Sequence, residues 1–219
     1  MCGRYIVTSS KDMLERRFNA KFDEPNYIKR YNASPSQKLP VILNSDPHKI
    51  KMLYWGIMPI WAAKIGRKDG LINIRTETLR DKKTFSKDLE LRRCLILADG
   101  FYEWARQGKL KLPYLFQLKN KKPFSFAGLW EENTNKVGMK ITTFAIITTS
   151  ANPLLKKIHD RMPVILNNKT EKIWLSNTNN EEKLSLLSSY PASKMSSREV
   201  SIKVNDAKFD EPSLLLKIN

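Results

Sequence analysis

The chain has 219 residues, and its 39 Lys and Arg against 22 Asp and Glu give a formal net charge of +17. This length suits one substantial hydrophobic core, and no stretch approaches the ~18 consecutive apolar residues of a membrane-spanning helix. The N-terminus lacks the basic region and apolar run of a signal peptide, and two cysteines cannot build a disulfide framework. We therefore expect one soluble domain over residues 1–219, in a reducing cytoplasm.

The first part of the chain predicts a helix, a loop and then strands. Ser9 or Ser10 can cap a helix that runs to about Phe18, and an irregular stretch over 31–36 leads to an apolar run over 41–43. Five further segments have the composition of strands, several of them as buried runs: 50–57, 94–98, 112–118, 124–129 and 141–149.

The C-terminal third predicts short helices. Asn152 followed by Pro153 is typical of a helix start, with the helix itself over 154–159. Two more helices are predicted over 170–175 and 181–187, with a polar loop over 177–180 between them. Together the elements predict a mixed architecture that is rich in strands, with a sheet or a barrel and several short helices.

Cys2 carries distinctive chemistry because of its position. Removal of Met1 would leave a thiol and a free α-amine on adjacent carbons, and both titrate near ~8 to 8.5. An aldehyde would condense with the amine to a Schiff base, and the thiol would then close a thiazolidine ring. The alternative is that Cys2 is merely a small residue after Met1.

The high positive charge favours a polyanionic partner. Lysine and arginine displace counterions from phosphates whatever the base sequence, so nucleic acid is the partner such a surface usually binds. The alternative is that many of the lysines only keep the chain soluble.

Three short strings hold polar residues that could do chemistry. Asn73, Arg75 and Glu77 would share one face of an extended segment, either as a functional face or as an exposed one with an ion pair. Glu103 lies between aromatic residues, where desolvation would raise its pKa, unless it points to solvent. His159 is a candidate proton shuttle, although a histidine in such a place is often structural.

Seven ordered strings resemble the SOS-response-associated peptidase (SRAP) family. The resemblance spans almost the whole chain. It implies an α+β fold, a single compact domain with a strand-built, barrel-like core and peripheral short helices. It also implies that this domain covalently captures abasic sites in single-stranded DNA. The strings are 1–5, 31–35, 55–61, 73–78, 100–104, 127–130 and 159–163.

The resemblance also implies catalytic roles. Cys2 matches the nucleophile, which would trap the sugar aldehyde as a thiazolidine DNA-protein cross-link. Glu103 and His159 match the acid-base pair, and Asn73 matches the residue that holds the geometry of the site.

A second group of residues is implied to bind DNA. Arg4, Arg75 and Arg161 match basic residues around the DNA backbone, where a guanidinium can grip a phosphate with two hydrogen bonds. Trp61 resembles an aromatic wedge that stacks on a base, its alternative being a core tryptophan. Thr149 falls where the family lines its pocket, although a buried strand threonine would look the same.

The sequence leaves other functions open. An N-terminal cysteine can be the nucleophile of a peptidase, in particular one that removes Met1, or the chain can be a non-covalent single-strand binder. A lyase side reaction would follow if the thiazolidine closed slowly. We expect no cofactor, and no metal because the two Cys and two His lack the paired spacing of a zinc site. We expect a monomer, and in a bacterium an association with the nucleoid.

Overall fold

The computed structural model describes residues 2–57, 70–81, 83–108, 110–134 and 138–218. The helices are α1 (Lys11–Phe18), α2 (Thr76–Asp81), α3 (Lys83–Leu91), α4 (Asn168–Leu175) and α5 (Asn180–Ser185). The strands are β1 (Tyr5–Val7), β2 (Lys21–Phe22), β3 (Arg30–Ala33), β4 (Lys38–Leu43), β5 (Asp46–Trp55), β6 (Asn73–Arg75), β7 (Arg93–Ala98), β8 (Gly100–Gln107), β9 (Leu110–Leu118), β10 (Phe124–Thr134), β11 (Lys140–Ser150), β12 (Arg161–Pro163), β13 (Ile165–Leu166) and β14 (Met195–Glu199).

Five strands close into a barrel. The antiparallel pairs run from β5 through β4, β7 and β10 to β11, and β11 then pairs with β5 in parallel, at Thr143 opposite Tyr54. All six residues of β7 are buried, because α4 covers the outer side of this strand. The Trp174 indole of α4 donates a hydrogen bond to the Cys94 carbonyl at 3.0 Å. The predicted α+β fold with a barrel-like core is confirmed.

A second sheet, in the order β14-β9-β8-β1-β3, lies against the barrel. Its inner face contributes Tyr5, whose ring lies 5.2 Å from that of Trp55 and 5.7 Å from that of Phe126. Its outer face contributes Ile6 and Tyr102, which pack with the C-terminal residues Val200, Val204 and Leu214. Strands β1 and β8 therefore lie between the barrel and a C-terminal cover.

Three sequence-based expectations are corrected by the structure. The irregular stretch predicted over 31–36 includes part of β3, because this segment pairs with β1. The helix predicted over 154–159 consists of turns, although Asn152 does accept the amide N–H of Leu155 at 3.0 Å. The chain cannot complete further helical turns there because it enters β12 at Arg161.

The third correction concerns the string that contains Asn73 and Glu77. Asn73 and Arg75 do lie on one short strand, but α2 begins at Thr76, so Glu77 belongs to a helix. None of the described helices has the length and apolar character needed to cross a membrane.

Candidate functional site

Cys2 lies in the segment that leads into β1, and its side chain is fully buried. The Asn73 side-chain amide donates a hydrogen bond to the Cys2 carbonyl oxygen at 2.9 Å. The amide N–H of Tyr102 donates to the Arg4 carbonyl at 3.0 Å, which continues the pairing of β1 with β8 beyond the end of β1. The N-terminal segment is therefore held by β6 on one side and by β8 on the other.

Glu103 reaches the same place from β8. The alternation of this strand sends Phe101 toward the barrel core and Tyr102 toward the C-terminal cover. Glu103 is 2% exposed, so the alternative that it points to solvent is wrong. Burial raises the pKa of its carboxyl, and the positive charge that His159 can carry acts in the opposite direction. Such a carboxyl is suited to exchange protons closer to neutrality than an ordinary glutamate.

The Cys2 thiol is held in its neutral form. Burial raises its pKa far above the ordinary value, and the nearby negative charge of Glu103 acts in the same direction. This thiol would react after a proton acceptor has removed its proton, and Glu103 is the neighbouring group that can accept it.

His159 follows the turns that lead into β12. Its Nδ1 accepts the backbone N–H of Arg161 at 3.0 Å, and Asp160 Oδ1 also lies 3.0 Å from the same nitrogen. The two contacts require opposite states of Nδ1, because a backbone amide only donates and a carboxylate only accepts. The amide is fixed by the chain whereas the Asp160 side chain can rotate into solvent, so we assign the proton of the neutral ring to Nε2. The Asp160 side chain is 84% exposed, so solvent weakens its effect on the ring.

Asn73 is placed by β6, which pairs in parallel with β11. Its amide nitrogen is engaged by Cys2, whereas its Oδ1 atom is buried and has no hydrogen-bond partner within the described ranges. The Asn73 Oδ1 atom can therefore accept a hydrogen bond from the Cys2 amine or from a bound molecule.

The predicted DNA-binding residues occupy different environments. Arg75 is exposed at the end of β6, and Arg4 is partly buried beside the C-terminal segment. Thr149 is 8% exposed on β11, opposite Met162, as expected of either a pocket residue or a buried strand threonine. Trp61 lies outside the described residues.

The Arg161 guanidinium forms hydrogen bonds within the protein. Its two terminal nitrogens form hydrogen bonds to Glu77 at 2.6 and 2.9 Å, and one of them also donates to the Thr148 carbonyl at 2.7 Å. The guanidinium lowers the pKa of Glu77 to about 2. In this structure Arg161 anchors β12 to α2, and its contact with a phosphate stays a prediction.

Two side chains of this region have partners that the sequence does not predict. Glu77 is a candidate for a functional or ion-paired face in the sequence, and in the structure it pairs with Arg161. Asn32 belongs to the string 31–35, and in the structure it binds the C-terminal segment. The only signal for Asn32 in the sequence is a polar amide within the string 31–35, and the structure buries this side chain. Across the described ranges, no three His, Cys, Asp or Glu side chains are arranged to hold a metal ion.

Comparison with known proteins identifies the family of the chain. The family described as SOS response associated peptidase (SRAP) matches residues 1–207. Abasic site processing protein YoqW of Bacillus subtilis is 42% identical over an alignment of 223 positions, which covers 98% of this chain and 99% of YoqW. Abasic site processing protein YedK of Escherichia coli is 28% identical, over 80% of this chain and 79% of YedK. A crystal structure of a protein from Bacteroides thetaiotaomicron shares the fold with a TM-score of 0.86 at 24% identity, over 100% of both chains. The chain therefore belongs to the SOS response associated peptidase family, as its motifs indicated.

Proposed function

We propose that this protein processes abasic sites in single-stranded DNA by forming a covalent bond between Cys2 and the ring-opened sugar. The observation that carries the proposal is that Asn73 holds the Cys2 carbonyl at 2.9 Å, while the buried Glu103 interacts electrostatically with Cys2 and with His159. The names of the relatives support the choice of abasic sites as the substrate.

The proposed reaction uses both nucleophiles of Cys2 after Met1 has been removed. The α-amine attacks the C1′ aldehyde of the abasic sugar, and loss of one water gives an imine. The thiol sulfur then adds to the imine carbon, and the thiol proton is transferred to the nitrogen. The product is a thiazolidine, and the only by-product is the water.

Each polar neighbour has a proposed part in this sequence. Glu103 accepts a proton from the amine and later from the thiol, whose raised pKa requires such help. His159 donates its Nε2 proton to the sugar oxygen as the ring opens. Asn73 orients the Cys2 backbone and offers Oδ1 to the amine.

The surface charge supports DNA as the partner. The net charge of +17 attracts a polyanion, and the exposed Arg75 lies two residues from Asn73. A peptidase has no evident need for this charge, so hydrolysis of other proteins is the weaker alternative. Removal of Met1 by the chain itself is compatible with the proposal.

The direct test uses protein from which Met1 has been removed and a single-stranded oligonucleotide with one abasic site. Intact mass under denaturing conditions, without borohydride, should show protein plus DNA minus one water. Protein that retains Met1, and an oligonucleotide with the tetrahydrofuran analogue that has no aldehyde, should give no adduct. If the processed protein binds DNA but forms no adduct, the proposed reaction is wrong and the protein is a non-covalent single-strand binder.

Glu103→Gln should slow the cross-linking reaction and also stabilise the fold. The loss of a proton acceptor is expected to reduce the rate by about 10²- to 10⁴-fold. Because the pKa of Glu103 is raised, the ionised carboxylate destabilises the folded state above that pKa, and this cost disappears below the unfolded value of about 4.3. The variant should therefore unfold at higher urea concentration than the wild type at pH 7, with the difference vanishing near pH 4.

The exposed Glu24→Gln is the matched control, and it should change neither the rate nor the urea midpoint. An unchanged cross-linking rate in Glu103→Gln would remove Glu103 from the mechanism. A lower stability at pH 7 would contradict the destabilising effect of the buried carboxylate.

A further inference from the structure

Asn32 is a fully buried amide at the centre of a hydrogen-bond cluster. The two hydrogens of its Nδ2 point to carbonyl oxygens of the C-terminal segment, those of Asp206 and Phe209 at 2.9 and 2.8 Å, and the Val204 carbonyl lies within sharing distance at 3.3 Å. Its Oδ1 accepts a hydrogen bond from Arg4 Nη1 at 2.9 Å. The three carbonyls fix the orientation of the amide, because a flipped amide would place its oxygen against them.

Arg4 is held by this cluster on one edge only. Its Nη1 also donates to the Val204 carbonyl at 2.9 Å, so both hydrogens of Nη1 are used. The other edge carries Nε and Nη2. Within the described part of the chain, neither nitrogen donates a hydrogen bond. That edge is the fork with which an arginine holds two phosphate oxygens.

The surroundings of Arg4 suit an anion. Arg4 lines an open surface cavity of about 320 Å³, together with Gly3, Trp104, Lys111 and Asn205. The lining contains two cations and no carboxylate, although the negative charge of Asp206, outside the lining, also attracts Arg4. Gly3 directly follows the proposed nucleophile. An anion bound here would lie one residue along the chain from Cys2.

We propose that Asn32 is a positioning residue, which presents the free edge of Arg4 to a DNA phosphate beside Cys2. This inference rests on the proposed function. The buried amide and the Val204 carbonyl order the guanidinium when the protein folds, so the cost of ordering it does not fall on DNA binding. The C-terminal segment, although distant in sequence, thereby becomes part of the DNA-binding site.

The test measures the salt dependence of non-covalent binding. The ligand is a single-stranded oligonucleotide with the tetrahydrofuran analogue, which cannot form the adduct. One phosphate contact contributes about 0.7 to the slope of log K against log salt for single strands. Arg4→Gln should reduce the slope by about this amount. Asn32→Ser should reduce it in the same direction, and the double variant should lose no more than Arg4→Gln alone.

Tyr102→Phe is the matched control. It removes a partly buried hydrogen bond of 2.8 Å to the Tyr31 carbonyl on the same strand as Asn32, without changing charge. Its slope should equal that of the wild type. An unchanged slope in Asn32→Ser, or additive losses in the double variant, would overturn the inference.

Arg4→Lys keeps the inference falsifiable if Asn32→Ser fails to fold. Lysine retains the charge but cannot bind Asn32 and Val204 with one edge while offering a second edge to phosphate. The affinity of Arg4→Lys for the oligonucleotide should fall toward that of Arg4→Gln. An affinity equal to that of the wild type would overturn the inference. The proposed function has a separate test: it is wrong if the wild type forms no adduct with an abasic aldehyde.

Discussion

Replacing Cys2 by alanine is expected to abolish the stable covalent product while leaving the affinity for single-stranded DNA unchanged. The processed variant still has an α-amine, so it can form the imine, but it has no sulfur to close the ring. The adduct should therefore appear in intact mass spectra only when borohydride reduces the imine. Because an unclosed imine permits β-elimination, strand cleavage at the abasic site should rise relative to the wild type.

Cys94→Ala is the matched control for this experiment. Cys94 is the other cysteine of the chain, and it is fully buried in β7, where burial also raises the pKa of its thiol. Its carbonyl oxygen accepts a hydrogen bond from the Trp174 indole of α4, the helix that covers the outer side of β7. The control should form the borohydride-independent adduct at the wild-type rate. A stable adduct in Cys2→Ala would assign the bond to another nucleophile, such as a lysine.

The barrel could be predicted from the sequence because several of its strands contain apolar runs. The predicted segments 41–43, 50–57, 94–98, 124–129 and 141–149 fall on β4, β5, β7, β10 and β11, the strands of the ring. Burial on both faces removes the need for polar alternation, and β7 illustrates this with six buried residues in succession. The parallel return of β11 to β5 was not predictable, because it joins strands far apart in sequence.

The strands that carry the site were harder to predict because their sequences are mixed. Strand β8 contains Gly100, Glu103 and Arg106 among aromatic residues, and β6 has only three residues. Their conformation is set by partners elsewhere in the fold, which for β8 are β1 and β9. The candidate site residues are predicted from motifs. The hydrogen bonds of Arg161 to Glu77 and of Arg4 to Asn32 depend on contacts that no local pattern encodes.

A second large effect is expected at Arg93, which lies at the start of β7 and is fully buried. Its guanidinium donates to carbonyls at the C-terminal ends of two helices. Leu89, at 2.8 Å, and Glu90 belong to the last turn of α3. Trp174, at 2.7 Å, and Ser176, at 2.9 Å, lie at the end of α4. One cation thus caps two helices, where the partial negative charges of their ends favour it.

Arg93→Met should lower the free energy of unfolding by about 3 kcal/mol or more, because each buried carbonyl left without a donor costs about 1–3 kcal/mol and only some can be rehydrated. The neighbouring Arg92→Met is the matched control: Arg92 is partly exposed and pairs with Asp88 across one helical turn at 3.4 Å. Such a pair contributes only about 0.3–0.5 kcal/mol. Urea unfolding of both variants measures the difference. Equal losses would mean that the two helix ends find other donors, and that Arg93 does not hold α3 and α4 against the barrel.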